Sequence, residues 1–135
     1  MKSNDKTNSD AQPNLSDNRS SSESSTARDI PRRYQKMHQD YPELMQAYEA
    51  LGEATRTTGP LTPREVALVK LAISVGAGLE GAAHSHCRKA LDASCTDDDL
   101  RQVALLATPT IGFPTMMRAK GWVEDVIAKR QRSST

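Results

Sequence analysis

Residues 61–76 read LTPREVALVKLAISVG, a helix start followed by an apolar segment with no polar face. Thr62 is placed to cap, Pro63 suits the first helical position, and Glu65 completes a capping box. From Val66 to Val75 nearly every position is apolar, and Lys70 is the only charge in the middle. A helix that is apolar all round has to be contacted on several sides. Residues 65–76 are therefore expected at the centre of a helical bundle.

The rest of the chain supplies partners of the same kind, and no segment alternates as a strand would. Asp40-Tyr41-Pro42-Glu43 looks like another helix start, with Asp40 as N-cap, and Leu44, Tyr48 and Leu51 follow on one face. Thr57-Thr58-Gly59-Pro60 ends that helix, and residues 31–38 form a short one before it. Gly76 and Gly78 separate the apolar helix from the next, over about 79–93. Thr96 then caps a helix from Asp97 to about Ala107, with three acids in its positive first turn. Residues 108–114 read as a turn-rich junction, and Pro114 opens a last helix with a basic end. The expectation is an all-α fold, a small bundle of about five to six helices.

Residues 1–28 differ in composition. Apart from Met1, Leu15 is their only large apolar residue, too little burial to offset the entropy of ordering, so a disordered polar tail is expected. It has no apolar h-region for a secretory signal, and its scattered acids argue against a transit peptide. A solvated tail is the simplest reading, with a partner-binding or phosphorylatable arm as the alternative. Residues 29–135 then form a single helical domain. With one Trp, one Phe and three Tyr, that domain is poor in large core residues. Much of its apolar content is Ala, which buries little area, so self-association is a reasonable way to gain core. A formal net charge of +1, without a basic cluster interleaved with aromatics, argues against a nucleic-acid partner. The longest apolar run, 66–79, is too short to span a membrane and contains Lys70 and Ser74. Two cysteines give no disulfide framework and fit a cytoplasmic setting.

Residues 78–91, GLEGAAHSHCRKAL, gather an acid, two imidazoles and a thiol on one helix. Leu79, Ala83, His86 and Ala90 share one stripe, and Glu80, His84, Cys87 and Leu91 the neighbouring one. His84 and His86 lie about 200° apart around the axis and cannot chelate one metal together. His86 is the unusual residue, a polar ring on a face that should pack inward. It is either a core histidine satisfied by a carbonyl or water, or a working group. Glu80 and His84 are spaced for a hydrogen-bonded pair. A metal site on Glu80, His84 and Cys87 would need further ligands, and His38 is the only other histidine; no metal is expected. Cys87 and His86, consecutive on a helix, diverge by about 100° and form no dyad, so Cys87 and Cys95 read as buried, inert thiols.

These residues carry a resemblance. The L-[ST]-P-x-E start, the apolar helix, G-x-E before the histidine, H-x-R-x-A-L, the T-x-[DE]-[DE]-[LI] cap and G-x-P before the last helix follow in order from Leu61 to Ala119. Together they resemble the core of the carboxymuconolactone decarboxylase and alkylhydroperoxidase D-like superfamily. The resemblance implies a small helical fold that assembles as a homotrimer or homohexamer. The peroxidase branch uses Glu-x11-Cys-x2-Cys-x3-His. On this chain that pattern puts the histidine at His86 but Leu79 and Ala82 at the two cysteines and Ala67 at the glutamate.

The decarboxylase branch lacks the cysteine pair and keeps the histidine. Its chemistry needs an acid to protonate carbon and donors for the developing oxyanion. The first reading is therefore a cofactor-free enzyme on a small carboxylated or carbonyl compound, with His86 as acid/base and Arg88 holding a carboxylate. Glu80 and Cys87 complete the set of candidate site residues. The alternatives are a non-catalytic helical oligomer that has lost its site, and an alkylhydroperoxidase-like peroxidase using Cys87. The last is disfavoured, because Cys95, the nearest other thiol, lies eight positions on.

Overall fold

The structure is a computed structural model that describes residues 31–135, so the expectation for residues 1–28 lies outside the described residues. Those described form six α-helices and no strand: α1 (Arg32–Asp40), α2 (Pro42–Thr57), α3 (Pro63–Gly76), α4 (Glu80–Asp92), α5 (Asp97–Ile111) and α6 (Phe113–Ser133). The all-α reading holds. Helices α3 to α6 pack into one bundle, with α5 against α6 and α3 against α4 as the most extensive pairings. Helices α1 and α2 pack on one another and touch the bundle weakly at most.

Both capping boxes form as their sequences require. Thr62 accepts the Glu65 N–H at 3.2 Å while the Glu65 carboxylate takes the Thr62 N–H at 2.7 Å. Thr96 and Asp99 repeat the exchange at the start of α5, at 3.1 and 2.7 Å. Each cap contributes about 1 kcal/mol. The two helix starts are tied together, because Arg64 reaches the Asp99 carboxylate at 2.6 Å. The Cys95 thiol also donates to the Arg64 carbonyl, at 3.8 Å.

The core is a line of small residues with a few large ones between them. Leu71, Cys87, Leu100 and Val123 are fully buried, and Ala83, Ala90, Ala104 and Ala119 bring the helix axes close. Arg101 on α5 grips Glu124 on α6 through both carboxylate oxygens, at 2.8 and 3.1 Å, and Lys120 joins at 2.7 Å. Helix α4 ends in a Schellman motif. The Cys95 N–H returns to the Ala90 carbonyl at 3.0 Å and the Ser94 N–H to Leu91 at 3.2 Å. This places Ser94 in the left-handed region, with φ of 68°.

Three details depart from the sequence reading. Asp40 is not an N-cap: it is the last residue of α1, paired with Lys36 at 2.8 Å. Tyr41 takes the cap position of α2 without a side-chain bond, and Pro42 follows. Helix α5 runs to Ile111 with Pro109 inside it. In the last turn a proline forfeits one hydrogen bond only, and the Gly112 N–H closes the end on the Ala107 carbonyl at 3.1 Å. Finally, α3 is not covered on all sides within one chain. Leu71, Ser74 and Val75 are buried, whereas Val69 and Ile73 are exposed, Ile73 by 64%.

Candidate functional site

Helix α4 carries every candidate named from the sequence, and its entry fixes where they point. The Gly78 N–H donates to the Val75 carbonyl and the Leu79 N–H to Ser74, both at 3.0 Å, and Gly78 adopts φ of 68°. The chain thereby reverses and lays α4 on α3. The buried line of α4 is Ala83, Cys87 and Ala90, at i, i+4 and i+7. That line runs between the two stripes read from the sequence. At about 100° per residue, His86 falls at one edge of it and His84 at the other.

His86 is half-buried, and no hydrogen bond to its ring occurs among the described residues. The carbonyl-bonded core histidine is therefore not what the fold builds. Burial pushes the imidazole down to about 4, and the positive charges of Lys70 and Lys89 add to that effect. The ring is neutral at physiological pH. Lys89 lies one turn further along α4, at i+3, and Lys70 comes from the facing helix α3. Neither lysine makes an ion pair among the described residues. The Lys89 ammonium is itself destabilised, first by burial and then by Lys70, Arg56 and Arg88, with Glu49 of α2 opposing. Glu49 is engaged elsewhere: it pairs with His38 Nε2 at 3.1 Å and accepts the Tyr34 hydroxyl, both on α1.

The other candidates lie apart from this cluster. Arg88, two residues beyond His86, falls about 200° round the axis, and its charge acts on Cys87 and Lys89 instead. Glu80 is exposed in the first turn of α4 and makes no bond to His84. The His84 Nε2 is shielded from solvent without a partner, so the expected Glu80–His84 pair does not form. Cys87 is 0% exposed, and burial pushes its thiol up to about 12. Leu79 is exposed at the start of α4, while Ala67 packs against the core, so the fold places no thiol or carboxylate there. Among the described residues no group of three or more His, Cys, Asp or Glu side chains is placed to hold a metal ion. A surface cleft of about 360 Å³, lined by residues 40–44 at the α1–α2 corner, contains none of these groups.

The charges of Lys70 and Lys89 act on His86, a link that the sequence reading did not make. The signal for Lys70 was present, a lone charge inside an otherwise apolar helix. Helical spacing alone marked Lys89, at i+3 from His86. Which of the neighbouring cations stands by the imidazole depends on how α3 and α4 pack.

The model of the carboxymuconolactone decarboxylase family matches residues 42–125, from the start of α2 into α6. Neither the curated proteins nor the solved structures gave a match.

Proposed function

The chain belongs to the carboxymuconolactone decarboxylase family, and from that premise we propose that it is a cofactor-free, decarboxylase-like enzyme acting on a small carboxylated or carbonyl compound. His86 is its acid/base group, and Lys70 and Lys89 hold the substrate's negative charge. One observation supports this reading: a half-buried imidazole without a hydrogen bond among the described residues feels the positive charges of Lys70 and Lys89, neither of which has an ion-pair partner among them. The positive charges of Lys70 and Lys89 add to the cost of charging the ring, and an anionic ligand there would offset it.

The chemistry such a cluster performs is simple. A carboxylate oriented by the lysines loses carbon dioxide as its C–C bond breaks, and the electron pair passes into the adjoining carbonyl system as an enolate. The ammonium charges stabilise that oxyanion. The His86 imidazole then relays a proton from solvent to that carbon and ends, as it began, neutral. One proton is consumed for each carbon dioxide released.

The test is turnover of carboxylated lactones and β-keto carboxylates, followed by carbon dioxide release, in the wild type and in His86→Gln. The variant should lower kcat by about 10²- to 10⁴-fold with an unchanged unfolding midpoint. An unchanged rate in a folded His86→Gln protein overturns the reading and favours a scaffold that kept the helix without its chemistry.

A further inference from the structure

We propose that copies of this chain associate head to tail: the apolar corner where α5 meets α6 on one copy seats on the exposed stripe of α2 on the next, with Arg118 of the first copy against Glu43 of the second.

The corner is unusual in sequence and in structure. Residues 102–117, QVALLATPTIGFPTMM, hold no charged residue, in a chain whose charged fraction is 26%. Gly112 alone links the two helices, with φ of 104°. Ala104, Ala107 and Met116 of this run are buried. Leu105, Leu106, Ile111, Phe113 and Met117 are left exposed, Phe113 by 59%. A charge-free segment with this many open apolar side chains marks a contact surface.

Helix α2 offers the second surface. Leu44, Tyr48 and Leu51 recur at i, i+4 and i+7, and Leu51 is exposed by 63%. Leu44 also lines the cleft of about 360 Å³ at the α1–α2 corner, together with the exposed Tyr41, so cleft and stripe are continuous. At roughly 100 Å² for a half-exposed large side chain, the five of the corner and the four of the stripe each offer about 400–500 Å² of apolar area. That is the apolar share of a standard interface burying roughly 800 Å² per partner.

Charge decides which surface meets which. Helix α2 carries Glu43, Glu49 and Glu53 against Arg56 alone, whereas α6 carries Arg118 and Lys120 after the corner and no acid before Glu124. Stripe on stripe, or corner on corner, sets like charges together; corner on stripe sets opposite ones together. Glu43 precedes Leu44 and Arg118 follows Met117, and both are exposed without an ion pair among the described residues. A contact between two different surfaces leaves one of each free on a pair, so assembly continues beyond two copies.

The experiment is light scattering on the full chain at micromolar concentration. Phe113→Glu with Met117→Glu disables the corner, and Tyr48→Glu with Leu51→Glu disables the stripe; circular dichroism verifies both folds. The wild type should exceed the mass of two chains, and each variant alone should run as a monomer of 14.8 kDa. Mixed in equal amounts, the two variants should form a one-to-one pair, because one intact corner meets one intact stripe. Should either variant fail to fold, charge reversal replaces it: Glu43→Arg and Arg118→Glu should each weaken association by about fivefold, and the two together in one chain should restore it. A wild-type monomer or dimer, a folded variant that keeps the wild-type mass, a mixture that stays monomeric, or a double reversal no better than the singles overturns the proposal.

Discussion

Lys70 on α3 places its positive charge on His86 of α4, and no carboxylate acts on the imidazole to oppose it. The ring is thus held neutral by burial first and by its neighbours second. In the ligand-free protein, Lys70→Met and Lys89→Met should each move the His86 titration part of the way from about 4 toward 6.5. Imidazole NMR measures this directly. A midpoint that stays in place in both variants would mean that burial alone sets it.

The same shift makes stability depend on pH. His86 is depressed in the folded chain, so between 6.5 and about 4 the unfolded chain binds more protons. Stability is therefore full above 6.5 and falls as pH drops through that window, by at most about 3 kcal/mol, and by less as water reaches the ring. Denaturant titrations at stepped pH should find this slope in the wild type and a flatter one in His86→Gln. Glu124, held down to about 2 by Arg101 and then Lys120, loses its contribution only in a lower window, from 4.5 toward 2.

Ser94 occupies a left-handed position that glycine fills without strain. Ser94→Gly should raise stability by about 0.5–1 kcal/mol, and Ser94→Val should lower it. Thermal unfolding checks both. No gain with glycine would mean that the added freedom of the unfolded chain cancels the relieved strain.

Cys87 is sealed in the core with its thiol pushed up to about 12, and Cys95 is buried as well. Thiolate is the reacting species, so neither cysteine should react with an aromatic disulfide reagent in the native protein. No dithiol turnover of alkyl hydroperoxides is expected. A peroxidase rate that disappears in Cys87→Ala would refute this.

Leu44, Tyr48 and Leu51 form an apolar stripe on α2, each more than half exposed, and Val69 and Ile73 lie open on α3. Apolar faces of this extent favour a covering partner, and a second copy of the chain is the expected one. Light scattering should give a multiple of the 14.8 kDa chain mass, and Leu51→Glu with Tyr48→Glu should reduce it. A folded wild-type monomer at micromolar concentration would sink the expectation.

Much of this protein was legible in its residues because the signals are local. Thr62 with Glu65, and Thr96 with Asp99, specify their own hydrogen bonds over three residues, so two helix starts follow from sequence alone. Apolar periodicity likewise specifies helices throughout the described residues, and the order of motifs around His86 specifies the family. Lys36 and the run of α1 displaced Asp40 from its expected cap, a competition between two adjacent helices that neither start signal contains. Tertiary structure alone decided what surrounds His86. Helical spacing can place Lys89 beside His86, but it cannot tell that α3 lays Lys70 there too, or that Glu49 is occupied by α1. Electrostatics near a buried ring depends on distances between helices and on lost water, and neither quantity belongs to any single helix.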